Sequence, residues 1–187
     1  MTPRTLHGPR LILRPWRAED LGPLFGINGD PESMRHFAGV MTRAQSDAWA
    51  ERMQTHIEAH GWGFWAVEER GGAPFVGVVG LMTIPWEARF TPAVEIGWRI
   101  APAFRRRGFA EEAARTALDF AFGTLDLPEV VAFTVPGNEA SWRLMERLGM
   151  RADGGFDHPR LPAGHPLRRH VLYRLARPAG QGDARTG

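Results

Sequence analysis

Between Val94 and Ile100 apolar and polar residues take turns. Val94, Ile96, Trp98 and Ile100 fall on one side and Glu95, Gly97 and Arg99 on the other, which is the period of two of a strand with one apolar face. Pro102 ends the strand, because proline cannot donate to a ladder and biases Ala101 away from helix. From Phe109 the spacing changes: Phe109, Ala113, Ala117, Phe120 and Ala121 recur at three and four residues, so a helix is predicted from near Gly108 to Phe122.

The same patterns organise the rest of the chain. Residues 10–16 read as a short strand, and 20–27 as a helix with Leu21, Leu24 and Phe25 inward, broken by Asn28-Gly29-Asp30-Pro31. Thr42 followed by Gln45 is a capping-box signature, and Ala48, Trp49, Met53 and Ile57 form a helical stripe ending at Gly61. Strands are predicted over 64–68 and 75–81, joined by the hairpin signal Arg70-Gly71-Gly72-Ala73-Pro74. A buried strand over 129–134 and a Pro136-Gly137 turn precede a helix over 138–148, with Trp142, Met145 and Leu148 on one side and Gly149 as its cap. Residues 151–156 and 167–174 read as a last pair of strands. No repeat or second domain is evident, so 1–177 is expected to be one domain and 178–187 a disordered tail.

Composition narrows the chemistry. The chain has 187 residues and no cysteine, which excludes disulfides, thiolate metal sites and a cysteine acyl-enzyme. All 23 basic residues are arginine, so a net charge of only +2 accompanies a pI near 10.2, and the pI does not signal a nucleic-acid surface. No apolar run approaches the roughly 20 residues of a membrane span, and no secretory signal precedes Arg10. A cytoplasmic protein without nucleic-acid or membrane partners is expected.

Between the 94–100 strand and the 109 helix lie Arg105, Arg106, Arg107 and Gly108. A helix N-terminus presents unpaired N–H groups and the positive end of the dipole, glycine allows close approach, and arginine adds permanent charge: the junction suits phosphate. A solvated basic turn is the simpler reading of three arginines alone.

The pattern Arg105-x-x-Gly108-x-Ala110, after Glu95-Ile96-Gly97-Trp98, resembles the acetyl-CoA pyrophosphate loop of the GNAT acetyltransferase superfamily. Asn138-x-x-Ser141, ending in Arg147-Leu148-Gly149-Met150, resembles the family's second motif, and the wording is most similar to the RimJ/RimL branch. The likeness covers about 10–175. It implies an α/β GNAT fold, a mixed sheet of six to seven strands flanked by about four helices. It also implies an acetyl-CoA-dependent N-acetyltransferase without a metal, acting as monomer or homodimer on a primary amine, either a protein N-terminus or a small molecule. Ile100, Arg105, Arg106, Arg107, Gly108, Phe109, Ala110, Asn138 and Ser141 are the expected acetyl-CoA contacts. A non-catalytic acyl-CoA sensor with the same fold is the alternative.

Acyl transfer to an amine requires removal of a proton and support of the leaving thiolate. Glu95, on a central strand, is the expected base; a structural carboxylate bonded to a neighbouring strand is the other reading. The resemblance implies a tyrosine acid in the 138–148 helix, but Met145 occupies that position and the only tyrosine is Tyr173. Ser141 is expected to support the sulfur instead. His36, Trp65, Trp86, Trp98, His158 and Tyr173 are candidate acceptor-binding residues. His158, His165 and His170 match no zinc spacing.

Overall fold

A computed structural model describes residues 2–178. Its elements are β1 (Leu6–His7), β2 (Leu11–Arg14), α1 (Leu21–Asn28), α2 (Pro31–Met34), α3 (Arg43–His60), β3 (Phe64–Glu69), β4 (Gly77–Thr83) and β5 (Val94–Ile100), then α4 (Phe109–Gly123), β6 (Glu129–Thr134), α5 (Glu139–Arg147), β7 (Arg151–Asp157) and β8 (Arg169–Ala176). The strands form one sheet in the order β1-β2-β3-β4-β5-β6-β8-β7. All neighbours are antiparallel except β5 and β6.

Alternation along each strand sorts the side chains into two faces. On one, Trp65, Val67, Val79, Leu81, Ile96 and Ile100 pack with Phe109, Ala113, Ala117 and Phe120 of α4 and Leu144 and Met145 of α5. On the other, Ala66 and Val78 meet Leu24 and Ile27 of α1 and Ala50 of α3. Farther along that second face, Val131, Leu172, Phe156, Ile84 and Phe90 form a separate cluster. The interval between these last two clusters is where β5 presents its polar side.

Local chemistry sets the helix ends. Thr42 Oγ1 accepts from Gln45 N at 3.2 Å and Gln45 Oε1 accepts from Thr42 N at 2.8 Å, the reciprocal box expected from the sequence. Arg14, almost fully buried, donates to Asp20 (2.8 and 2.9 Å), Glu68 (2.7 Å) and the Pro74 carbonyl (2.7 Å), fixing the start of α1 to the sheet. A charge so placed is tolerable because most of its donors are satisfied.

Several boundaries differ from expectation. The sheet has eight strands rather than six to seven, since β1 is two residues long and too short for a period to register. Five α-helices replace the expected four: α2 is a single turn capped by Asp30, whose carboxylate accepts from Ser33 N at 2.8 Å. The buried stripe of α3 is Ser46, Ala50 and Ile57, and Ala48 is exposed. A buried hydrogen bond from Asn28 Nδ2 to Ser46 Oγ (3.1 Å) turns a polar residue inward that hydrophobicity alone assigns to solvent. In α1 the buried residues are Leu24, Ile27 and Asn28, while Leu21 and Phe25 are half-buried. Of the expected tail, only Pro178 belongs to the described residues.

Candidate active site

The parallel strands β5 and β6 are in register at one step, Glu95 opposite Val131. All seven β5 residues pair with β4 on the other side, so from Ile96 onward the β6-facing edge of β5 carries no ladder partner. The two strands therefore part toward their C-terminal ends, where α4 and α5 begin. In open α/β sheets such a parting at strand C-termini is where ligands bind.

At the α4 end, a short 3₁₀ turn over Pro102–Phe104 leads into Arg105. Arg106 (φ +60°) and Gly108 (φ +78°) are left-handed, a conformation glycine adopts without a side-chain penalty. No side chain caps α4. Among the described residues, no acceptor takes the N–H groups of Arg106, Arg107 or Gly108, and those of Phe109 and Ala110 belong to the unpaired first turn. The loop is thus a row of free donors at the positive end of a helix, which suits a pyrophosphate.

The three arginines divide their work. Arg105 Nε donates to the Ile100 carbonyl (3.1 Å) and its Nη2 to Ser33 Oγ (2.8 Å), bracing the loop against α2. Arg107 pairs with Glu69 (2.7 Å) and lies over the Phe109 ring. All three are exposed, and Arg106 is the one whose side chain bonds to no described residue. Arg10, which the motif does not include, also borders the loop: its Nη2 lies 3.4 Å from the position a Gly108 Cβ would take, while its Nε pairs with Glu112 of α4 (2.7 Å) and its guanidinium lies over Phe109. At the α5 end, Asn138 Nδ2 donates to Thr134 Oγ1 (2.9 Å), and Ser141, half-buried, has a hydroxyl without a partner among the described residues.

Glu95 stands where the strands part. Its carboxylate makes no hydrogen bond to a described residue, so it is not the strand-to-strand tie considered from sequence. Burial pushes its pKa up to about 7, with Arg160 and Arg99 pulling the other way. A carboxyl group poised near neutrality and free of protein partners has the properties of a general base.

Two walls flank it. On the α1 and α3 side, Arg99 shares the Glu95 face of β5; its Nη1 donates to Asn28 Oδ1 at 2.6 Å, and its guanidinium lies 4.3 Å from the Trp49 ring centre and 5.1 Å from that of Phe37. Burial pulls this guanidinium down to about 10, against the opposing pull of Glu95. His36 adjoins Phe37 and accepts from Arg35 Nε at 3.0 Å. On the β7 and β8 side, Trp86 stacks on Phe156 (5.8 Å) and lies 4.9 Å from the His158 ring, with His170 5.1 Å beyond. Burial, then His170 and Arg160, lowers His158 to about 4, so its ring joins Trp86 and Phe156 as a neutral aromatic surface at physiological pH.

Three expected acceptor residues lie elsewhere. Trp65 is fully buried on the α4 face, edge-on to Phe120 at 5.8 Å, with Nε1 donating to the Arg4 carbonyl. Trp98 is on that same face, because it pairs with Val79, which pairs with Trp65. Tyr173 is in the same core, its hydroxyl donating to Glu146 (3.3 Å). All three point away from Glu95. Met145 is also core, whereas Trp49, expected there, is half-buried beneath Arg99. Asn28, Arg160 and Arg10 carry no sequence signal for this site, and the alternation over 94–100 places Arg99 on the polar side with Glu95 without assigning it a role.

Residues 10–151 match the acetyltransferase (GNAT) domain family. Bacillus subtilis YkkB is 31% identical over 142 residues, covering 75% of this chain and 81% of YkkB. A GNAT-family acetyltransferase structure from Bacillus anthracis superposes with a TM-score of 0.79 at 23% identity, covering 93% of this chain and 99% of that one. Mycobacterium smegmatis RimJ, solved in complex with CoA-disulfide, has the same fold (TM-score 0.74, 21% identity, 94% of this chain and 90% of that one). The chain belongs to the GNAT acetyltransferase family. It is an N-acetyltransferase of the α/β class that the motifs implied, and enzymes of this family use acetyl-CoA.

Proposed function

We propose that the protein transfers an acetyl group from acetyl-CoA directly to a primary amine, with Glu95 as base, in the manner of the RimJ/RimL branch. The observation that carries this reading is the Glu95 carboxylate: raised to about 7, unbonded, and set at the single registered step of two parting strands.

The free donors from Arg106 to Ala110 would hold the pyrophosphate, with Arg106 supplying charge and Arg10, Arg105 and Arg107 holding the loop in shape. The unpaired edge of β5 and the Asn138 and Ser141 end of α5 would line the pantetheine arm. Acetyl-CoA supplies an activated thioester. Glu95 takes the proton that the amine must lose, directly or through water. Arg99 and Arg160 make the cleft unfavourable for an ammonium ion and so favour the neutral, nucleophilic amine. The amine nitrogen adds to the thioester carbonyl, the C–N bond forms and the C–S bond then breaks, and the Ser141 hydroxyl would hydrogen-bond the departing thiolate sulfur. With no cysteine to carry the acetyl group, a ternary complex is the route.

The test combines calorimetry of acetyl-CoA binding with thiol release over a panel of amines, in a protein whose own sequence contributes no thiol. Binding with amine-dependent release is expected. Tight binding with no release from any amine would favour the acyl-CoA sensor.

A further inference from the structure

Arg99 is held like a residue waiting for a counter-ion. It lies on the Glu95 face of β5, fixed by Asn28 and by the rings of Trp49 and Phe37. Asn28 is itself fully buried and anchored through Ser46. None of these partners carries negative charge. Other arginines of the sheet face an acid: Arg14 meets Asp20 and Glu68, Arg169 meets Asp157, and Arg174 meets Asp153 and Glu129. Among the described residues Arg99 has no such ion pair: Glu95, four residues along the strand and roughly 13 Å away between Cα atoms, acts on it only through a longer-range pull, with no hydrogen bond between them.

A buried guanidinium without a carboxylate is costly, and cation–π contacts with two rings offset only part of that cost. One of five N–H donors is taken by Asn28. The remainder of the fork is not sealed in the core, because Arg99 keeps partial exposure and none of its nitrogens is both buried and unpaired. A planar fork with unused donors matches a carboxylate or a phosphate. Arg160, on the opposite wall, is a second positive charge that acts on Glu95.

From this arrangement, and resting on the transferase reading above, we infer that the acceptor is an amine that also bears an anionic group, and that Arg99 is the residue that binds the anion. Acceptor specificity then follows from geometry: Glu95 serves the amine end, Arg99 the acidic end, and the neutral wall of Trp86, Phe156 and His158 accommodates what lies between. Polyamines and other multiply cationic amines are poor acceptors.

The experiment compares amino acids with their own carboxamides. With CoA bound, the affinity of each acid and amide is measured by calorimetry, and with acetyl-CoA the same pairs are assayed for thiol release. An acid-to-amide preference of about 10- to 100-fold is expected, the range set by a hydrogen-bonded charge pair. Aminoalkyl phosphates form a second arm: preference for them over the carboxylates identifies the anion as phosphate, and preference for carboxylates identifies it as an acid. Short peptides ending in acidic or amidated residues separate a free acid from a peptide acceptor by the same ratio.

In R99Q the acid-to-amide ratio should collapse toward one. Because Arg99 also packs on Trp49, N28D provides a variant that keeps the side chain and satisfies its charge internally; it should lower the ratio as well. Equal affinities of acid and amide in the unmodified protein, or a ratio unchanged in both variants, overturns the inference. The calorimetric ratio does not depend on turnover, so an acid preference in binding without thiol release would count against the transferase reading and not against Arg99.

Discussion

Glu95 faces Val131 across the single registered step between β5 and β6, so the residue proposed as the base also marks where the sheet begins to open. A carboxylate at such a point loses solvent on the sheet side without gaining a hydrogen bond. That combination raises its pKa to about 7, whereas a bonded strand carboxylate would be held low.

Activity should follow from this directly. kcat/KM is expected to rise with pH through an apparent pKa near 7 and then level. E95Q should lower kcat by about 10²- to 10⁴-fold and remove the inflection, with acetyl-CoA affinity nearly unchanged. Steady-state profiles from pH 5.5 to 9 check both; a variant with normal turnover excludes Glu95 as the base.

Stability should move in the opposite sense. A carboxyl group whose folded pKa lies above its unfolded value near 4.5 stabilises the fold most at low pH, and that contribution is lost as pH rises from about 4.5 to about 7. Replacing Glu95 with glutamine removes the loss. E95Q should therefore be more stable than the parent at pH 8, by on the order of 1–3 kcal/mol, and nearly equal to it at pH 4.5. Urea denaturation at the two pH values measures this.

Gly108 adopts φ +78° at the start of α4. G108A should cost about 1 kcal/mol of stability through backbone strain and should weaken acetyl-CoA binding by tenfold or more by displacing the donor row. Calorimetry gives the affinity and thermal denaturation the stability. Unchanged affinity would remove the loop from the binding site.

Trp65 gives a contrasting expectation. It is sealed against Phe120, so W65A should destabilise by about 3–5 kcal/mol through a core cavity. W65F, which retains an aromatic ring there, should leave the acceptor KM unchanged. A large change in acceptor KM in W65F would return Trp65 to the acceptor site.

The parts of this fold legible in the sequence are those with a strong period or a local motif. β5 and β6 have the bounds that alternation and apolar runs predicted, α4 starts where the spacing changed, and the Thr42 box formed as read. What alternation cannot say is which side of a strand meets which layer, since that depends on register with strands far away. Trp65 and Trp98 therefore passed for cleft residues until the chain of pairs through Val79 put both under α4. Tyr173 drew notice as the sole tyrosine, but uniqueness in composition has no bearing on direction. Arg99 was missed for a related reason: its partner Asn28 lies 71 positions away, and Asn28 had been read as part of a helix breaker. The α3 face erred because the buried Ser46 belongs to a hydrogen-bonded pair rather than an apolar stripe.

The single registered step between β5 and β6 leaves the two halves of the sheet joined by few backbone bonds, so side-chain packing must carry what ladders carry elsewhere. Helix α4 does this: it packs against β1, β2, β4 and β5 on one side of the gap and β6 on the other. Its inner face is built from Ala113, Ala114, Ala117 and Ala121 between larger residues. Side chains this small let the helix lie close to both halves at once. The alanines thereby tie together, through packing alone, the two halves of the sheet that part beside Glu95.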